Sequence, residues 1–340
     1  MPELRKDPVV GRWVIISTER SRRPTSFGPV KAQRATGFCP FCPGAEDKTP
    51  PEVYAVRPSG GPANGGDWLV RVVPNKFPAL QIEGSLDRRA EGLYDKMNGI
   101  GAHEVVIEGP AHDQDLADLP VEQIHEVLLA YRERILDLHR DKRLRYVLIF
   151  KNHGGEAGAT IEHTHTQLIA TPIIPKSIQE ELEGARRYWE LKERCVFCDI
   201  VHQETVEGNG KRVVSTSDRF VAMMPFAARF PFETWILPRR HDASYQVLED
   251  PAEFLELAVM LKDTLSRLNA ALDRPPFNFV LHSSPVSDHE LEYYHWHIEI
   301  MPKLTRVAGF EIGSGFYINP TPPEDAAHYL RAMGVPQTTP

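Results

Sequence analysis

The stretch Glu162-His163-Thr164-His165-Thr166-Gln167-Leu168-Ile169-Ala170 carries polar side chains at alternate positions, and an extended strand places those of His163, His165 and Gln167 on one face. A second His-x-His, His295-Trp296-His297, follows 132 residues after the first. Further landmarks recur around both. The apolar strands RYVLIF and FNFVL end at Phe150 and Leu281, helical stripes open near Pro120 and Pro251, and HEVVIEGPAH and ETWILPRRH end at His112 and His241, all 129 to 132 residues apart. Matches at nearly one offset mark a duplicated unit.

The stripes are Val121, Ile124, Leu128, Tyr131, Ile135 and Leu138 in one copy, and Phe254, Ala258, Leu261, Leu265, Leu268 and Leu272 in the other. Each has the spacing of an amphipathic helix. The unit therefore reads strand, strand, helix, strand, strand. A short polar loop joins its last two strands, which predicts antiparallel pairing with a helix packed on the sheet, an α+β fold. No GxGxxG or P-loop suggests a doubly wound alternative. The expected division is 1–175 for the first unit and 176–340 for the second, with a helix-like stretch from Lys176 to Arg194 leading into the latter and a strand at Trp13 to Ser17 added to the former. Extra loop residues in the first copy fall in PGAEDKTPP and RPSGGPANGGD.

The 340 residues, 41% hydrophobic and 25% charged, suffice for a duplicated folded core. A formal charge of -8 argues against nucleic acid or anionic lipid as a partner. The longest apolar runs are far short of the roughly 20 residues that span a membrane. The start, MPELRKDPVVGRW, lacks a secretory signal's apolar stretch, so a cytoplasmic protein is expected.

Four cysteines form two pairs, Cys39-Pro-Phe-Cys42 and Cys195-Val-Phe-Cys198. In such a chain they read as metal sites before disulfides or redox pairs. Cys39, Cys42, His112 and His163 make one Cys2His2 set, and Cys195, Cys198, His241 and His295 a second. Closed tetrahedral shells of this kind are structural, and their ligand types favour zinc while leaving iron open for the second site. A competing set in the second copy joins Glu181, His282, His295 and His297.

With His163 on the metal, His165 stands about 7 Å further along the strand as a positioned imidazole. Its unprotonated nitrogen can attack phosphorus, giving a covalent phosphoryl-histidine, while Gln167 donates to a phosphate oxygen. The preceding loop, Asn152-His153-Gly154-Gly155-Glu156-Ala157-Gly158-Ala159-Thr160, suits a diphosphate through its backbone N–H groups, with Asn152 and Thr160 adding donors. The second copy has His295, His297 and Glu299 at the equivalent positions and no glycine in HSSPVSDHE, so it reads as catalytically retired. Two other classes share these residues: a non-catalytic, zinc-stapled nucleotide-binding module, and a metallohydrolase with His163 and His165 as ligands.

The Cys-Pro-Phe-Cys, GPAH at 109–112, the N-x-G-x-x-x-G loop before His-x-His-x-Gln, and FPFETWILP at 230–238 resemble the galactose-1-phosphate uridylyltransferase family, a double-unit branch of the histidine triad superfamily. The resemblance runs from RKDPVVGRWVII to GFEIGSGFYINP. It implies ping-pong exchange of UMP between UDP-glucose and galactose 1-phosphate through a uridylyl-histidine. The covalent role falls on His165, and phosphate contacts on Asn152, Gly158, Thr160 and Gln167. It also places Asn75 by the ribose and Arg20 and Arg23 near a phosphate, in the partner subunit of a homodimer. Two features depart from the familiar pattern: Asn75-Lys76 replaces Asn-Asp, and the lysine and glutamine that clasp the hexose have no counterpart in RVAGFEIGSGFYINP. A second CxxC resembles the two-zinc nucleotide phosphorylase relatives, which leaves an ADP-sugar or dinucleotide phosphorylase as the alternative activity.

Overall fold

The computed structural model describes residues 1–19, 37–287 and 290–334. Two short strands open the chain, β1 (Glu3–Lys6) and β2 (Trp13–Ile16). The first repeat follows as β3 (Tyr54–Val56), β4 (Val70–Pro74), an exposed hairpin of β5 (Arg89–Glu91) and β6 (Tyr94–Lys96), β7 (Ala102–Ile107), helix α1 (Val121–Leu138), β8 (Tyr146–His153) and β9 (His165–Thr171). Helices α2 (Lys176–Lys192) and α3 (Val196–His202) lead into the second repeat: β10 (Val213–Thr216), β11 (Phe220–Met223), β12 (Thr234–Pro238), α4 (Pro251–Leu272), β13 (Phe277–His282) and β14 (His297–Pro302). The described chain ends with α5 (Gly309–Ser314), β15 (Tyr317–Asn319) and α6 (Pro323–Ala332).

The expected α+β class holds, and both repeats share one ten-stranded sheet ordered β10-β11-β12-β14-β13-β8-β9-β7-β4-β3. Every recorded pair within it is antiparallel. Its halves are related strand for strand and meet where β8 runs against β13, from Ile149–Leu281 to His153–Phe277. Each repeat has one more edge strand than its sequence pattern suggests, β3 or β10, because three or four residues are too few for alternation to stand out. The strand at Trp13 pairs antiparallel with β1 and parallel with the C-terminal β15, so it lies beside the second repeat.

Alternation along the strands sorts the two faces. Even-numbered residues of β9, Leu168 and Ala170, join Val70, Val72, Val106 and Ile149 in a core closed by α1 and α4. Helix α4 starts where Asp250 caps the amide of Ala252 at 2.9 Å with Pro251 in the first turn, and it buries Phe254, Leu257, Ala258, Leu261, Leu265 and Leu268. The opposite face carries the histidines. No helix of the described residues is long and apolar enough to cross a membrane.

Phe279 sits fully buried on β13, opposite Lys151 of β8 and edge-on to Tyr131 of α1 at 6.5 Å. Phe279→Ala is therefore expected to destabilise the seam between the halves by about 3–5 kcal/mol, read as a lower urea midpoint.

Candidate active site and metal centres

In the first repeat Cys39 and Cys42 lie on a turn, His112 follows the end of β7, and His163 lies two residues before β9. One ligand atom from each falls within 4.8 Å of the others. Cys39 Sγ is 3.8 Å from His163 Nδ1, and Cys42 Sγ is 3.5 and 3.6 Å from Nδ1 of His112 and His163. A tetrahedral zinc with ordinary Zn–S and Zn–N bonds has an S···N edge of about 3.6 Å, so these residues fit that ion. His163 Nε2 donates to the Gly109 carbonyl at 2.7 Å, which leaves Nδ1 bare toward the thiols.

The second repeat builds the same arrangement. Cys198 Sγ lies 3.4 Å from His241 Nδ1 and 3.6 Å from His295 Nδ1, and Cys195 completes the set. His241 and His295 turn Nε2 to the carbonyls of Leu291 and Pro238, at 3.1 and 2.9 Å. His295 thus keeps company with the cysteines, while Glu181, His282 and His297 gather separately. In that second group Glu181 bonds His282 Nδ1 at 2.9 Å, Glu299 lies 3.6 Å from Nε2, and Arg229 holds Glu299 at 2.5 Å. Burial alone would lower the pKa of His282, but Glu181 and Glu299 outweigh it and raise it to about 10. The charges of this cluster are thereby largely balanced by its own side chains.

His165 is 7% exposed and its ring packs edge-on to Phe41 at 5.4 Å. Its Nδ1 donates to the His163 carbonyl at 2.8 Å, so the lone pair resides on Nε2. Burial first, then the nearby Lys151 ammonium, lowers its pKa to about 4, which keeps the ring neutral and nucleophilic at physiological pH. His165 is absent from the Cys2His2 group, which argues against the metallohydrolase reading.

Gln167 is oriented through His103, a residue the sequence pattern does not single out. Ala79 N–H donates to His103 Nδ1 at 3.2 Å, so His103 Nε2 carries the proton it gives to Gln167 Oε1 at 2.9 Å. The Gln167 amide nitrogen remains to donate to a substrate. Asn75, whose Oδ1 accepts from the Phe77 N–H at 2.9 Å, places its Nδ2 3.1 Å from the same His103 nitrogen and so sits beside the Gln167 end of the site.

The glycine loop turns tightly between β8 and β9. Gly158 has φ 94° and Gly154 φ 81°, and a Cβ on Gly154 would meet Pro276 at 2.8 Å, so both positions demand glycine. Asn278 of β13 donates to Asn152 Oδ1 at 2.8 Å and to the Ala157 carbonyl at 2.9 Å, fixing the loop from the second repeat. A cleft of about 510 Å³ opens here, lined among others by Cys39, His112, His153, Gly154, Thr160 and Arg274. Arg274, again from the second repeat, is held by Asp115 and Asp118 at 2.5 Å each. Arg20 and Arg23 lie outside the described residues.

One antiparallel sheet built from two copies of an α+β unit, with a buried His-x-His strand beside a glycine loop in the first, defines a double-repeat nucleotidyltransferase fold. The family profiles for galactose-1-phosphate uridyl transferase match residues 67–175 with its N-terminal domain and 181–334 with its C-terminal domain. The chain belongs to the galactose-1-phosphate uridylyltransferase family. It is 37% identical to an ADP-glucose phosphorylase of Arabidopsis thaliana, covering 98% of this chain and 93% of that one. It is 30% identical to a galactose-1-phosphate uridylyltransferase of Thermotoga maritima, covering 98% and 99%. A crystal structure of an Arabidopsis thaliana ADP-glucose phosphorylase with bound ADP-glucose superposes with a TM-score of 0.84 over 98% of this chain and all of the other. A uridylyltransferase structure, 31% identical, gives 0.76 with 98% of each chain covered.

The donor geometry leads to an elemental test. The purified chain should carry two metal ions, with zinc at the Cys39 site; Cys42→Ser and Cys198→Ser should each lose one by mass spectrometry of the metals. A metal-free wild-type protein with native secondary structure would overturn the assignment.

Proposed function

We propose that the protein transfers the nucleotidyl group of a nucleoside-diphosphate sugar through a covalent intermediate on His165, with residues 1–175 as the catalytic unit and 176–340 as a retired copy. The supporting observation is the His165–His163 carbonyl hydrogen bond, which leaves Nε2 free on a strand bordered by the glycine loop and by an oriented Gln167. Nε2 attacks the α-phosphorus, the bond to the bridging oxygen breaks, and the sugar 1-phosphate leaves with the bond electrons. The Nδ1–H retained on the His163 carbonyl stabilises the charge that the ring acquires. Gln167 donates to a non-bridging oxygen as negative charge accumulates, and Asn152, Gly158 and Thr160 hold the diphosphate. In the second half-reaction a phosphate oxygen attacks the same phosphorus and returns the electron pair to Nε2. Zinc in either Cys2His2 set is structural; no bond changes at it.

For the finer assignment we favour an ADP-glucose phosphorylase, with inorganic phosphate as acceptor. The 37% identity over nearly the whole chain supports it, as do the assembled second Cys2His2 set, the Asn75-Lys76 departure and the missing hexose clasp. Exchange between UDP-glucose and galactose 1-phosphate is the second reading, favoured by the 30% identity that spans both chains almost completely. We place the protein in the cytoplasm as a homodimer, with Arg20 and Arg23 assigned to the substrate phosphates across the subunit boundary.

Nucleotide sugars labelled in the α-phosphate discriminate these cases. ADP-glucose should label wild-type protein but not His165→Gly, and inorganic phosphate should discharge the label as ADP. Label from UDP-glucose that only galactose 1-phosphate discharges would establish the uridylyltransferase instead. Binding without label would leave a non-catalytic module, and label persisting in His165→Gly would remove His165 from the mechanism.

A further inference from the structure

Behind the catalytic strand, on the face covered by α1, lies a buried polar network that the mechanism above does not use. Lys151 and Glu108 are 1% and 0% exposed and meet at 2.6 Å. Lys151 Nζ also donates to Thr164 Oγ1 and to the His165 carbonyl, both at 3.0 Å. The hydroxyls of Thr164 and Thr166 both donate to Glu108, and Tyr131 donates to Thr166 Oγ1 at 2.7 Å. Burial opposes the ionised form of Glu108, yet the Lys151 ammonium and these donors hold its pKa below the usual carboxylate value.

The second repeat shows what the same fold does without this network. Strand pairing aligns Gln167 with Glu299, Phe150 with Val280 and Val105 with Trp235. In that register Lys151, Glu108, Thr164 and Thr166 correspond to Leu281, Pro238, Trp296 and Ile298, which are all apolar and buried. The fold is thus built equally well from apolar residues, and a buried ion pair is by itself a poor source of stability.

The strand ladders differ at the same place. In the second repeat β13 and β14 stay paired through Leu281–Ile298 and His282–His297. In the first, the β8–β9 ladder stops at Phe150–Gln167, leaving Lys151–Thr166 and Asn152–His165 unpaired. The His165 carbonyl instead takes its hydrogen bond from Lys151 Nζ. The strands part where the glycine loop begins and where His165 faces the opposite side.

We propose that Glu108 and Lys151, acting through Thr164 and Thr166, are positioning residues that hold β8 and β9 apart beneath His165 and fix its backbone for attack; this rests on His165 being the nucleophile. The network replaces the ladder hydrogen bonds that would close the gap. Its removal lets the strands pair as they do in the retired copy and displaces the imidazole from the α-phosphorus.

The test uses Glu108→Leu/Lys151→Leu, which removes both charges together so that neither is left buried alone, with Thr164→Val/Thr166→Val as the milder companion. Single-turnover labelling at saturating ADP-glucose, and separately UDP-glucose, gives the chemical rate; Kd for the nucleotide sugar and the thermal midpoint are measured alongside. The expected result for the double leucine variant is a wild-type or higher midpoint, an unchanged Kd and a labelling rate about 100-fold lower, the scale of a small misplacement of reacting groups. The valine pair should shift the rate in the same direction. Labelling at the wild-type rate in either folded variant overturns the proposal, as does a parallel loss of binding, stability and rate, which a merely structural network would give. If the leucine variant does not fold, the valine pair decides by the same criteria. An unlabelled wild-type protein overturns the His165 mechanism itself, and this proposal with it.

Discussion

The geometry around His165 depends on the hydrogen bond from its Nδ1 to the His163 carbonyl, and that bond depends on His163 being held in place. The His163 ring is tied at both nitrogens: Nδ1 faces the cysteine sulfurs of the loop-rich start of the unit, and Nε2 is held by the Gly109 carbonyl. A metal held by this set would act on His165 at a distance, through one strand pleat: it would fix His163, whose carbonyl sets the tautomer of the His165 ring. Cys39, Cys42 and His112 do not reach the His165 ring, yet they surround the residue whose carbonyl leaves its lone pair on Nε2.

The duplication makes the requirements of chemistry visible by contrast. Both repeats keep the Cys2His2 geometry, the helix and the paired strands, so these are what the fold needs. Both also keep a neutral second imidazole, since burial lowers the pKa of His297, like that of His165, to about 4; the first repeat alone adds the glycine loop, Gln167 and the buried Glu108–Lys151 pair. Phe197 lies against His297 at 5.1 Å much as Phe41 lies against His165, but in the second repeat Trp235, where the first has Val105, also packs on the ring, at 5.3 Å. His282 occupies the position of Asn152 and is charged, locked between Glu181 and Glu299. The two repeats therefore differ in how the region beside the second imidazole is filled and charged, with the scaffold unchanged.

Much of this was legible in the chain because the relevant signals are periodic. Alternation around His163 to Gln167, the stripes of α1 and α4 and the nearly constant offset required no knowledge of contacts. The cysteine spacing likewise announces its chemistry, and the structure brings together both Cys2His2 sets read from it. What stayed hidden depends on contacts between distant segments. The merging of two units into one sheet is written only in the pairing of β8 with β13, and the pairing of β2 with β15 joins the two ends of the chain. His103, Glu108 and Lys151 lie in apolar strands where a single polar residue reads as a solvent-facing position, whereas their partners make them internal. Asn278 carries no local signal, since its role comes from Asn152 and Ala157 in the other repeat.

The same contacts give the second repeat a structural role. A strand at a sheet edge leaves its outward N–H and C=O groups unpaired and free to fray or to find another chain. β8 carries Asn152 and leads directly into the glycine loop, so its outer edge must be covered if the loop is to hold one shape. β13 provides that cover along the length of the seam, and Asn278 and Arg274, at and just before that strand, reach the loop and the cleft from it. A single repeat would need a second chain in this position. Covalent duplication supplies the neighbour permanently, so the fold of the second repeat serves the first whatever residues line its own face.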